Sequence, residues 1–153
     1  MLNCEMCLYA VQQNAAVFGL IPDNLKTREM CLTCVKKDGY LINHVPSNLL
    51  TPEVCMEAVK QNPMVLEDIP DERKTAEVCL EAIKNLFYKD FFRMLAYIPF
   101  NLRTQEVWLA ILGKDGMMLK DVPKNLITPE MCITAVKQNG YAIRYVPVNE
   151  SYI

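Results

Sequence analysis

The chain has 153 residues, is 52% apolar and carries a formal net charge of −2. That length supports one domain with a real core, and the near-balanced charge provides no global field to draw nucleic acid or an anionic membrane. No apolar run reaches the ~18 residues of a spanning helix, and Met1-Leu2-Asn3-Cys4-Glu5 sets no basic flank before an apolar stretch, so neither membrane insertion nor a secretory signal is expected.

From Asn3 onward one pattern recurs. A capping residue opens each copy (Asn3, Thr27, Thr51, Thr75, Thr104, Thr128) and a proline closes it (Pro22, Pro46, Pro70, Pro99, Pro123, Pro147). Both sets are spaced 24, 24, 29, 24 and 24 residues apart. Self-similarity at a fixed period means stacked units, each burying its apolar face on its neighbours. The units run 3–26, 27–50, 51–74, 75–103, 104–127 and 128–151, in one helical-repeat domain over 1–153.

The first unit holds Cys4, Met6, Cys7 and Leu8 and is as apolar as any interior unit. Terminal repeats ordinarily carry a polar cap, so this one is expected to pack on another copy or on further chain. The third unit shows the pattern best. Thr51 suits the N-cap, Pro52 the first helical position and Glu53 the positive end of the helix dipole. Val54, Cys55, Ala58 and Val59 then recur at helical spacing. Asn62-Pro63 stops the helix; in Asp38-Gly39, Asp115-Gly116 and Asn139-Gly140 the glycine is placed to supply a left-handed cap. A second apolar segment, Met64-Val65-Leu66 through Ile69-Pro70, reads as a short helix ended by proline. A strand, as in leucine-rich repeats, is the competing reading. Leu41-Ile42 and Ala142-Ile143 do not alternate with polar residues, which favours helix. The predicted fold is all-α: an α-solenoid, a right-handed stack of six short helix-turn-helix repeats.

The fourth unit is five residues longer, with the extra length near 85–90. It lacks the usual stop, so its first helix is expected to run on by about one and a half turns. Phe87, Tyr88, Phe91, Phe92, Tyr97, Phe100 and Trp108 crowd this region, and the insertion with Phe87, Tyr88, Phe91 and Phe92 is expected to be the main irregularity of the solenoid, its aromatics buried. In the sixth unit, Ala135-Val136-Lys137-Gln138-Asn139-Gly140-Tyr141-Ala142 leads to Val146-Pro147. This string resembles a bacterial family of short tandem helical repeats classed as a domain of unknown function, found in effector-like and uncharacterised proteins. The resemblance covers all six units and is weakest at 85–98. It implies a helical repeat fold, no known catalytic residues, and a cytoplasmic location, or the host cytoplasm for an exported effector.

Cys4-x-x-Cys7 and Cys31-x-x-Cys34 invite a zinc reading. The repeat phase argues against it, because Cys7, Cys31, Cys55, Cys79 and Cys132 share a position with Trp108, an apolar slot. Cys4 and Cys34 would sit about 9 Å apart along stacked helices, while zinc needs sulfurs within about 4 Å of each other. All seven cysteines are read as free thiols, with no metal and no cofactor. The Glu5, Glu29, Glu53, Glu77, Glu106 and Glu130 ladder has a sufficient cause in the helix dipole. The asparagines after the prolines are read as turn-bonding.

No nucleophile–base–acid set or phosphate loop is present, so no catalytic residue is assigned. The leading expectation is a non-enzymatic scaffold binding a protein or peptide, with no nucleic acid or membrane partner. Its candidate surface is the variable column of the second segments: Tyr40, His44, Asp68, Tyr97, Asp121, Tyr141, Arg144 and Tyr145. The alternative is a structural or oligomer-forming module, self-associating through uncapped terminal units, or a fragment of a larger (secreted effector) protein; an enzyme with an unrecognised site is a minor alternative.

Overall fold

The computed structural model describes residues 1–87 and 91–148. Among these the regular structure is seven α-helices and nine short 3-10 helices, with no strand. The α-helices are α1 (Cys4–Gln13), α2 (Arg28–Lys37), α3 (Pro52–Gln61), α4 (Ala76–Asn85), α5 (Phe91–Tyr97), α6 (Gln105–Lys114) and α7 (Pro129–Gln138). All but α5 open a repeat, and each of those is ten residues long. Tyr88 and Asn149 lie outside the described residues, as does the end of the sixth unit.

Cap chemistry starts every one of these helices. Asn3 Oδ1 accepts the Met6 amide at 2.9 Å, and Thr27, Thr51, Thr75 and Thr128 Oγ1 each accept the amide three residues on at 3.3 Å, with Thr104 doing so at 3.4 Å. Each satisfies one orphan amide of the first turn, worth about 1 kcal/mol. The stop is equally local. Asn14, Asp38, Asn62, Asp115 and Asn139 are extended, and each side chain accepts the amide two residues on at 3.0 Å, starting the second segment.

The glycines after these stops do not serve as left-handed caps: none has a positive φ in that region. Their cause is proximity. A Cβ on Gly39 would lie 2.7 Å from the Ala58 carbonyl oxygen of the next unit. One on Gly116 would be driven into the Ala135 carbonyl. Only glycine lets the neighbouring helix end come this close.

The second segments are helical, but as 3-10 turns over 15–20, 39–44, 63–67, 116–121 and 140–145. Each holds five or six residues between an Asn or Asp cap and the Val-Pro or Ile-Pro stop. Proline pushes the preceding residue out of the α region, and Ile21, Val45, Val122 and Val146 accordingly have ψ between 123° and 129°. So short a run closes sooner with i→i+3 bonds. The turns after the prolines close through backbone, as in Leu25 N–H to the Pro22 carbonyl at 2.9 Å, while Asn24, Asn48, Asn101 and Asn125 are exposed and do not bond the turn.

The fourth unit departs from expectation. α4 does not run on; it stops at Asn85, whose side chain donates to the Glu81 carbonyl at 2.9 Å. The next residue, Leu86, turns extended (φ −69°, ψ 124°) and buries its side chain in the core. Anchoring that side chain stops the helix without an Asn-Gly. The second segment becomes the true α-helix α5. Its aromatics also divide: Phe91 is buried, whereas Phe92 is 70% exposed and Phe87 89%.

Counting each capping residue as position 0, the side chains at positions 3, 4, 7 and 8 form the core stripe; Val54, Cys55, Ala58 and Val59 are all fully buried. α1, α2, α3, α4, α6 and α7 pack one on the next as one layer, and the second segments line up beside them as the other. No polar or charged residue is buried among the described residues.

Position 10 locks four of the five joints. Gln61 Oε1 accepts the Gly39 amide at 2.6 Å and its Nε2 donates to the Lys37 carbonyl at 3.4 Å. Gln138 does the same to Gly116 at 2.6 Å and to the Lys114 carbonyl at 2.9 Å. Where no glycine precedes, lysine takes the place. Lys37 Nζ reaches the Gln12 carbonyl at 2.6 Å, and Lys114 Nζ bonds the Lys84 carbonyl, both favourable at a helix C-terminus. Pro63 has no amide to offer, and Asn85 opposite it bonds its own helix.

Candidate functional site

The eight residues of the candidate column all fall on or at the ends of second segments. Tyr40 and His44 lie in 39–44, Asp68 just after 63–67, Tyr97 ends α5, Asp121 ends 116–121, and Tyr141, Arg144 and Tyr145 lie in 140–145. The stacking of 15–20 on 39–44 on 63–67 on α5, and of 116–121 on 140–145, sets them side by side.

The 3-10 geometry splits them into two strips. With three residues per turn, positions 13 and 16 share a face and position 17 is rotated away. Tyr141 and Arg144 are such a pair, the guanidinium 5.7 Å from the ring centroid. Tyr141 is 71% exposed and Tyr40, at the same position, is exposed too. The other strip is His44, Asp68, Tyr97, Asp121 and Tyr145; the first two are exposed and the last three half-buried.

Local contacts hold this second strip. The His44 imidazole lies over Gly19 of the preceding unit, where a Cβ would come within 3.1 Å of Cε1. Lys26 Nζ, bonded to Asp23 at 2.8 Å, also donates to the His44 carbonyl at 2.7 Å. Lys74 repeats this with Asp71 and the Tyr97 carbonyl, both at 2.8 Å. The Tyr97 hydroxyl accepts from Arg93 Nη2 at 3.0 Å. Asp121 Oδ2 is buried with no hydrogen-bond partner.

An open groove of about 620 Å³ runs beside the last two second segments, lined by Lys120, Lys124, Arg144, Tyr145 and apolar Leu119 and Val146. Its three cations and apolar floor suit an acidic segment with an apolar side chain. A smaller groove of about 410 Å³ lies at the fourth unit, lined by Leu86, Phe87 and Phe91 together with Lys84, Lys114 and Gln138. Sequence reasoning placed Phe87 and Phe92 in the core. The signal that finds them is the break in the period itself, since a large apolar side chain outside the repeat phase has no neighbour to cover it.

Five of the thiols show little reactive character. Burial pushes Cys34, Cys55 and Cys79 up to about 11, and raises Cys31 and Cys132 in the same sense. A thiol so raised is protonated at neutral pH and a poor nucleophile or ligand. Cys4 is exposed while Cys7 is buried, so that pair does not converge on one point. Among the described residues no three His, Cys, Asp or Glu side chains gather where they could hold a metal ion, and no helix is long and apolar enough to cross a membrane.

Residues 3–50, 51–103 and 104–150 each match the model of a family described as a domain of unknown function, DUF4116. Each match spans two of the helix-pair units and begins on a capping residue: Asn3, Thr51 or Thr104. No curated protein and no solved structure matches the chain.

Proposed function

We propose that this chain, which belongs to the DUF4116 family, is a non-enzymatic helical-repeat scaffold that binds a protein or peptide along its second segments. The observation that carries this is the Tyr141–Arg144 pair. A tyrosine 71% exposed carries over its ring an arginine that itself lines a groove bearing Lys120 and Lys124. Tyrosine and arginine are the residues that most often dominate binding energy. The framework beneath them is rigid, with caps, stops and joint locks repeated unit after unit, so the surface is preorganised. The cations favour a partner segment carrying Asp or Glu beside an apolar anchor.

The test is a peptide-display selection on the intact protein, followed by titration of the selected peptides. Acidic peptides should be enriched. Tyr141→Ala, Tyr145→Ala and Tyr97→Ala should each weaken binding by more than about 1 kcal/mol, roughly fivefold, with the unfolding midpoint unchanged for the exposed Tyr141. Loss of binding with Lys60→Glu on the first-helix face, and none with the tyrosine variants, would place the surface elsewhere and sink this reading.

A further inference from the structure

The two ends of this stack are unlike those of a capped repeat protein, because both expose positions that every interior unit buries. On the forward end Ile143 is 61% exposed, while Phe18, Ile42, Leu66, Leu95 and Leu119 at the same position are buried. Cys132 and Val136, at positions whose other occupants are all buried, are only half covered. Together these line a shallow depression with no polar surface. On the rear end Met6 is 52% exposed, while Met30, Val54, Val78, Val107 and Met131 are buried. Both faces match interior stacking surfaces, and among the described residues no further unit covers either one.

The joint lock says which neighbour each wants. The receiving half is the glycine after the stop, present as Gly39, Gly116 and Gly140. The inserting half is Ala-x-x-Gln-Asn at a helix end, present as Ala10–Gln13–Asn14, Ala58–Gln61–Asn62 and Ala135–Gln138–Asn139. Two pairs are joined within the chain, Gly39 with Gln61 and Gly116 with Gln138. What remains is one receiving half, Gly140, at the forward end and one inserting half, Gln13, at the rear. A Cβ on Gly140 meets nothing within 4 Å, so nothing among the described residues requires a glycine there. Units followed or entered otherwise carry other residues, as Pro63 with Asn85 and Ala15 with Lys37 show.

We propose that the forward face of one molecule receives the rear face of a second copy, head to tail. Gln13 of the incoming copy accepts the Gly140 amide and donates to the Gln138 carbonyl, its Ala10 sits against Gly140, and its Met6 covers the apolar depression at Ile143. This is a heterologous contact, using two different patches, so it propagates into open chains or closes into a ring. This face adjoins the peptide surface proposed above, with Val146 on the edge of both, but it rests on different observations.

The test follows the mass of the intact protein by sedimentation from micromolar to near-millimolar concentration, for wild type and for two exposed-face variants, Met6→Glu and Ile143→Lys. Wild type should grow beyond twice the monomer mass with concentration. Each variant alone should stay monomeric, because each has lost one half of the contact. An equimolar mixture of the two should form a one-to-one dimer through the two intact halves. Gly140→Ala should weaken wild-type association by at least tenfold with no change in unfolding midpoint. A wild type that stays monomeric throughout overturns the proposal and leaves the faces to other chain segments. So does either single variant that still self-associates, which would mean a symmetric contact between like faces.

Discussion

Gln138 straddles the end of the preceding unit: its Oε1 accepts the Gly116 amide at 2.6 Å while its Nε2 donates to the Lys114 carbonyl at 2.9 Å. One side chain thus satisfies an exposed helix-terminal carbonyl and, at the buried Gly116, an amide that the neighbouring helix would otherwise shut away from water. Leaving such a group unpaired costs about 1–3 kcal/mol. Gln138→Leu should lower the unfolding free energy by that amount in a denaturant titration. Gly116→Ala should cost about as much, by forcing the helices apart. Gly140→Ala, at the equivalent position with open space before it, should change monomer stability by less than about 0.5 kcal/mol.

Adjacent phenylalanines in α5 should behave oppositely. Phe91→Ala empties a buried site and should destabilise by about 3–5 kcal/mol, whereas Phe92→Ala, at a 70% exposed site, should stay within about 0.5 kcal/mol. Thermal unfolding of the two variants side by side reads this directly.

The caps should each be worth about 1 kcal/mol. Thr51→Ala removes the oxygen that accepts the Val54 amide and should lower the unfolding free energy by that amount, while Thr51→Asp should retain most of it.

The buried thiols make a pH statement. Burial holds Cys34, Cys55 and Cys79 near about 11, above the ordinary thiol value of about 8.5. Below about pH 8.5 folded and unfolded chains both keep these protons. Between there and about 11 only the folded chain does, so rising pH favours unfolding. Thiolate absorbance in the native protein should show these three ionising well above the pH at which they ionise in denaturant. At pH 8 a thiol reagent should label Cys4 promptly and leave Cys7, Cys31, Cys34, Cys55 and Cys79 until the chain unfolds.

Caps, stops and the core stripe were legible in the sequence because each is decided within four residues: Thr51 with Val54, Asn62 with Met64, Val54 with Ala58. The glycines misled because their cause is distant. Gly39 is required by Ala58, nineteen residues on, and no local rule for helix ends contains that contact. The end of α4 was hidden for a related reason, since Leu86 terminates it by finding the core rather than by turn chemistry. Recurrence separated Tyr40 and Tyr141 from His44, Asp68, Tyr97, Asp121 and Tyr145 by their phase. It could not show the tighter winding of the 3-10 turns, which puts Arg144 with Tyr141.

The lock also bears on how such a chain can be rearranged. Gly39 and Gln61 belong to different helix pairs yet must travel together, so a cut at Thr51 separates partners while a cut inside a helix pair, just after its first helix, keeps them united. Duplicating a helix pair from cap to cap places its leading residue against whatever the previous pair presents: proline before glutamine leaves a dangling acceptor, and glycine before lysine leaves a bare amide. Shuffled libraries of these units should therefore yield folded proteins mainly when the fragments run from the middle of one helix pair to the middle of the next.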